Sequence, residues 1–285
     1  MTVAEVRDAI GRGLRRPEGV AVGPDGAVWA SDLGGLVVRI DPTSSVVERV
    51  GEPAAEPNGL TFDSRGLLVV CDFGGGRLVR LDPDTGRAKV ILDAVDGRPL
   101  SRPNFTAFDR DGVLWCTCST VRDDLLAAVE EQTDDGYLVA VLPDGRAEVA
   151  AIGLHFPNGC AVSPDGSHLV VVESGLRRLW CAELRGDGRI GPPRHVGPEL
   201  AAVPDGIAFD VHGGIWVTLV FPRAGIVRVA TDGTVEAVVD GGVGLPTNVA
   251  FGGADLRTVF VGSLDRESIG VLDADVAGVA LAATG

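Results

Sequence analysis

The sequence contains four asparagines, Asn58, Asn104, Asn158 and Asn248, and all four head copies of one repeated phrase. The two remaining copies are headed by Glu18 and Asp205. Every head therefore carries a side-chain oxygen. If the fold brings these positions together, two carboxylates and four amides form a ring of hard oxygen donors, which is the chemistry that holds a divalent cation. Carboxylates that converge without a compensating charge repel one another and favour protonation. Asn and Asp also make turns ahead of strands by bonding their own backbone. That reading accounts for polar heads in general but less well for a glutamate at position 18.

No other constellation competes. There is no phosphate-binding Walker loop, no His-Glu-x-x-His and no Gly-x-Ser-x-Gly. His155, His168, His195 and His212 are scattered. His155 precedes Asn158 by three residues, so it either borders the same site or lies on the surface. Cys116 and Cys118 share a strand face, but two thiols alone do not make a zinc site.

The elements that must carry the ring are legible as a repeat. The phrase is an apolar strand, a tight glycine turn and a second apolar strand: PEGVAVGPDGAVWASD at Pro17–Asp32, PNGLTFDSRGLLVVCD at Pro57–Asp72 and RPNFTAFDRDGVLWCTC at Arg102–Cys118. It returns as PNGCAVSPDGSHLVVVE (Pro157–Glu173), PDGIAFDVHGGIWVTL (Pro204–Leu219) and LPTNVAFGGADLRTVFVGS (Leu245–Ser263). The heads are spaced by 40, 46, 54, 47 and 43 residues. Alternating Val, Leu and Ile give a strand period, and Asp-Gly is hairpin turn chemistry. A unit of this length with about four strands predicts one propeller blade. Six blades use the whole chain, so residues 1–285 are expected to form a single all-β domain, a six-bladed β-propeller of four-stranded antiparallel blades around a central channel. The first strand of each blade lines that channel, which turns the six heads into a ring at one mouth.

Further expectations follow from the same geometry. The residues ending the second strands, Asp32, Asp72, Cys118, Glu173, Leu219 and Ser263, return to the same rim, so three more carboxylates are expected there. The segment Val3–Ile10 is expected to add a strand to the last blade and close the ring, because an open ring exposes edges. Blade three carries an excursion, Val121–Gly136, with Leu125, Leu126 and Val129 at helical spacing; it is either a surface excursion or a lid beside the mouth. Trp29, Trp115 and Trp216 occupy matching places and read as core between blades.

Composition narrows the partners. Forty acidic against 25 basic side chains give a net charge of −15, which excludes blanket attraction to nucleic acid or anionic membrane. A small-molecule substrate is the expected partner. No apolar run reaches the length of a spanning helix, and the start lacks a secretory apolar core, so a cytoplasmic location is expected. Five cysteines with no Cys-x-x-Cys pair read as reduced, buried thiols.

These phrases resemble the senescence marker protein/gluconolactonase family, also called regucalcin-like. The most specific pieces are PEG at Pro17–Gly19, RPN at Arg102–Asn104, FPNGCAVSPDG at Phe156–Gly166, PDGIAFDVHGGIWV and the final PTNVAFGGADLRTVFVGS. The resemblance covers essentially the whole chain. The family is similar in plan to the diisopropylfluorophosphatases and, more distantly, to strictosidine synthases. The resemblance implies a metal held by Glu18, Asn158 and Asp205, with Asn104 completing the shell through water or touching substrate, and Arg102 contacting substrate. The implied cofactor is one divalent ion, calcium first, with zinc, magnesium or manganese also admissible. Sugar-lactonase members carry Asp where this chain has Phe105, and Gly-Thr-Met where it has Thr117-Cys118-Ser119. Phe105 and Cys118 are therefore expected to give the substrate pocket a less polar wall. The implied activity is metal-dependent hydrolysis of a lactone or related ester; Asp205, a ligand whose carboxylate can also take a proton from the attacking water, is the candidate general base. Phosphoester hydrolysis, a ring-opening or ring-closing reaction, and non-enzymatic calcium binding are the alternatives on the same site.

Overall fold

Each repeat folds as the alternation predicts. In the computed structural model, which describes residues 6–279, six four-stranded antiparallel sheets follow one another along the chain. Blade one runs from Val20–Val22 to Val47–Val50, blade two from Pro57–Phe62 to Ala88–Leu92 and blade three from Pro103–Phe108 to Ala147–Leu154. Blade four runs from Pro157–Val162 to Arg194–Val196, blade five from Pro204–Phe209 to Val235–Asp240, and blade six starts at Pro246–Gly252. The first strand of each blade is an edge of its sheet, where a leading proline costs no ladder bond. These innermost strands pack against one another round the ring, blade six against blade one included. The fold is a six-bladed β-propeller. Among the described residues no helix is long and apolar enough to cross a membrane.

Blade six is closed as expected. Its outermost strand is Asp8–Ile10, pairing Asp8 with Val271, Ala9 with Gly270 and Ile10 with Ile269. Ile10 is buried with Leu14, Val28, Ile40, Phe260 and Ile269. Residues 6 and 7 of the expected closing segment precede the strand, and residues 3–5 lie outside the described residues.

Apolar layers fill the gaps between blades. Trp29 packs between blades one and two, Trp115 between three and four, and Trp216 against Phe251 between five and six. All five cysteines are free and buried. Two of the tryptophans are tied to hairpin aspartates six residues earlier: Trp115 Nε1 donates to Asp109 and Trp216 Nε1 to Asp210. Asp210 also accepts from the His212 and Gly214 amides and from Arg228 Nε at 2.6 Å. Burial alone would raise the Asp210 carboxyl, but Arg228 and the amides outweigh it and hold it below the ordinary range. Its stabilising contribution is therefore complete above the unfolded carboxylate range and lost as pH falls through the folded value. Asp210→Ala strands a mostly buried guanidinium and an indole N–H. It is expected to cost about 3–5 kcal/mol by urea unfolding at pH 7, with a smaller cost at pH 3.

The blade-three excursion carries the helix Leu125–Glu130, capped by Asp124. It lies beside the segments that lead into blades three and four. Arg102 Nε donates to Arg122 O, Arg102 Nη2 pairs with Asp123, and His155 Nδ1 meets Gln132 O at 2.7 Å.

Candidate active site

The heads of the repeats leave the β ladder where it matters. In blades two to six the pairing of first and second strands slips at the head: between Pro57 and Leu60, Pro103 and Phe105, Pro157 and Cys160, Pro204 and Ile207, and Pro246 and Asn248. A bulge re-aims a side chain, and here it takes Asn58, Asn104, Asn158 and Asp205 out of the ladder, whereas in blade six the slip falls on Thr247 and Asn248 stays paired with Gly262. The residue after the head is glycine in four blades because the neighbouring backbone comes close. A Cβ on Gly159 would lie 2.6 Å from Asp205 O, and one on Gly59 would lie 2.5 Å from Asn104 O. Phe105 holds this position in blade three and is half-buried, its backbone against Gly59.

Hydroxyls at the ends of the second strands orient two of the amides. Asn158 Nδ2 donates to Ser174 Oγ, which donates to Pro204 O at 2.7 Å. Asn104 Nδ2 donates to Ser119 Oγ at 2.8 Å, and Ser119 Oγ donates to Pro157 O. With the nitrogens tied, the carbonyl oxygens are the free ends. Asn158 Oδ1 is buried and receives no hydrogen bond, and neither does Glu18 Oε2. Asn248 behaves differently: its Nδ2 donates to Val20 O and its Oδ1 accepts from Val249 N, so it ties blade six to blade one. Ser174→Ala releases the Asn158 amide. It is expected to weaken metal affinity on the order of tenfold, as loss of an orienting partner does, measured by calorimetric titration with Ca²⁺.

The electrostatics single out the same residues. Glu18 is 7% exposed. Burial pushes its carboxyl up to about 7, Arg16 pulls it down, and Glu56 pushes it further up. Asp205 is half-buried, and burial and then the Glu18 charge drive it well above the ordinary range, opposed by Arg16 and the Asn158 amide. Two carboxylates pressed together want a cation between them. Orphaned oxygens on Glu18 and Asn158, with Asp205 beside them, make a hard-oxygen donor set that fits one divalent ion. Among the described residues no group of three His, Cys, Asp or Glu side chains is arranged to hold a metal ion; the candidate donor set here is two carboxylates and an amide.

Lead-in residues shape the mouth. Arg16, Arg102 and Phe156, each just before a proline, hold positive φ angles of 54°, 50° and 53°, a backbone state uncommon outside glycine that gathers at functional sites. Arg102 lies over the Phe73 ring, 5.6 Å from its centroid.

Two expectations are corrected. Asp32, Asp72 and Glu173 do not join the acidic ring. Asp32 accepts from the Arg15 and Gly34 amides, Asp72 from Glu56 and Gly75 and from Arg77 Nε, and Glu173 from the His155 amide. They pin the lead-in segments rather than face the channel, while Leu219 joins the apolar layer between blades four and five. Cys118 is fully buried among Cys71, Leu78, Leu114 and Cys116, so it belongs to the core and not to a substrate wall. A cavity of about 520 Å³ opens between blades six and one at the turn end, lined by Arg7, Asp25, Gly253 and Phe260 among others; none of the ring residues borders it.

A six-bladed propeller with an oxygen-donor centre at one mouth defines the class. Comparison with known proteins narrows it. The family described as "SMP-30/Gluconolactonase/LRE-like region" matches residues 52–265, and a strictosidine synthase-like N-terminal region matches residues 8–40. The chain belongs to the SMP-30/gluconolactonase/LRE-like family. It is 26% identical over 249 residues to a gluconolactonase of Zymomonas mobilis, covering 82% of this chain and 68% of that one. It is 30% identical over 240 residues to a 6-deoxy-6-sulfogluconolactonase of Pseudomonas putida, covering 82% and 78%. It spans 58% of the length of the 28% identical adipocyte plasma membrane-associated protein of Gallus gallus. The same fold is seen in a calcium-binding regucalcin of Agrobacterium tumefaciens, with a TM-score of 0.79 at 20% identity over 98% of this chain and 97% of that one.

Proposed function

We propose that the chain is a lactone hydrolase working with one divalent cation held by Glu18, Asn158 and Asp205. The observation that carries this reading is the pair of buried oxygens without donors, Glu18 Oε2 and Asn158 Oδ1, next to Asp205. Relatives named as a gluconolactonase and a sulfogluconolactonase support the substrate class. When bound, the cation supplies polarisation of the lactone carbonyl and stabilises the charge that grows on its oxygen.

The chain's own residues do the rest. Asp205 takes a proton from the attacking water as the new C–O bond forms and returns it to the ring oxygen as the acyl C–O bond breaks, giving a hydroxy acid. Asn104, its nitrogen tied to Ser119, presents its carbonyl to a substrate hydroxyl. Phe105 gives an apolar wall on the same side. Arg102 commits Nε and Nη2 to the blade-three excursion and leaves Nη1 to orient an acidic or carbonyl oxygen of the substrate.

The test is hydrolysis of a panel of sugar, aliphatic and aromatic lactones after chelation and after stepwise return of Ca²⁺, Zn²⁺, Mg²⁺ and Mn²⁺. Turnover that vanishes on chelation and returns with one of these ions is expected. Turnover untouched by chelation sinks the reading, and tight metal binding with no lactone turned over sends it to the phosphoester or regulator alternatives.

A further inference from the structure

Arg16 stands two residues ahead of Glu18 in the left-handed backbone region. Its Nη2 lies 3.1 Å from Glu18 Oε2, and its Nη1 pairs with Glu56. That contact satisfies Glu18 in charge only, since Oε2 still receives no hydrogen bond. Asp205 also lies within reach of the Arg16 charge. The guanidinium thus serves as the positive charge at the centre, on the very oxygen a divalent ion would use. Glu56 occupies the corresponding place in blade two, two residues ahead of Asn58. It gives Arg16 a second anchor away from the ring, and with 31% of its side chain exposed, Arg16 has room at the mouth to move towards it.

We propose that Arg16 is a built-in counter-cation that competes with the divalent ion for Glu18, and that Glu56 draws it off, so the pair sets how tightly the centre loads. This rests on the metal reading above. Two like-signed charges sharing one carboxylate in a partly desolvated site oppose each other. The proposal fixes opposite signs for two substitutions at neighbouring residues, which general disruption does not.

The test is calorimetric titration of the full chain with Ca²⁺, folding of each variant being checked by circular dichroism. Arg16→Met keeps the aliphatic stem and removes the charge; it is expected to bind Ca²⁺ on the order of tenfold more tightly than the parent. Glu56→Gln leaves the guanidinium to Glu18 alone and is expected to bind several-fold more weakly. Arg16→Lys keeps the charge and is expected to stay close to the parent. Should Arg16→Met fail to fold, the weaker binding of Glu56→Gln still decides, because unchanged or tighter binding there overturns the proposal. Unchanged or weaker binding by a folded Arg16→Met overturns it as well. If the folded parent takes up none of Ca²⁺, Zn²⁺, Mg²⁺ and Mn²⁺, the metal reading falls and this proposal with it; if the parent binds one of them and the variants do not diverge with that ion, only this proposal falls.

Discussion

Asp205→Ala and Asp205→Asn are both expected to lower lactone turnover by about a thousandfold, the scale of losing a general base at a metal-assisted centre. The two differ in metal uptake. Alanine removes an oxygen donor and should release the ion; asparagine keeps a neutral oxygen and should retain part of the affinity. Elemental analysis after desalting separates ligation from proton transfer. Glu18→Gln should resemble Asp205→Asn in metal uptake but keep more turnover, because Glu18 lies deeper and moves no proton in the proposed reaction.

The same substitution carries a second readout of opposite sign. Without a cation, Asp205 and Glu18 press like charges together, and the Asp205 carboxyl is driven upward by burial and by Glu18. A carboxyl raised on folding stabilises the fold only below its unfolded range and weighs against it as pH rises. At pH 8 with chelator, Asp205→Asn should therefore melt higher than the parent. With saturating Ca²⁺ the order should reverse, since a ligand that binds only the folded state adds stability in proportion to the logarithm of its excess over Kd. Curves that keep the same order with chelator and with each of Ca²⁺, Zn²⁺, Mg²⁺ and Mn²⁺ would mean that the ring is an ordinary polar cluster and not an ion site.

Much of this was legible in the residues alone, and the limits are instructive. The repeat, the ring of heads and its closure by the first strand follow from strand period and spacing, because a propeller places equivalent residues equivalently. What spacing does not encode is the direction of a side chain at a bulge or a strand end. Asp32, Asp72 and Glu173 end their strands at the same rim as the heads, yet backbone amides of the lead-in segments consume their oxygens. Asn248 sits in the ring by sequence, yet its amide is spent on Val20 and Val249. Cys118 ends a second strand like the others and is swallowed by the core. The residues that orient the ring escaped notice, although a signal was present: Ser119 and Ser174 directly follow the second strands of the two blades headed by Asn104 and Asn158. Arg16 and Glu56 carried a signal as well, each two places ahead of its head.

Removal of residues 1–10 should cost the ring its closure. Asp8–Ile10 supplies the outer strand of blade six, Arg7 N donates to Val271 O, and Ile10 is 4% exposed. Losing a buried isoleucine costs about 2–5 kcal/mol, and the broken ladder bonds add about 1 kcal/mol each. A drop in Tm on the order of 10 °C or more is expected, with a shift under about 2 °C refuting a closing role. Ile10→Ala tests the packing share alone. The consequence for the site follows from where the ring is joined. Thr247 Oγ1 donates to Glu18 O and Asn248 Nδ2 to Val20 O, so the seam between blades six and one holds the backbone that carries Glu18. Asp205 hangs from blade five, on the far side of that seam. Loosening blade six should therefore weaken Ca²⁺ binding in the truncated chain even at a temperature where circular dichroism shows it folded. Full affinity alongside a large loss of Tm would show instead that blade one positions Glu18 unaided, and that closure serves stability only.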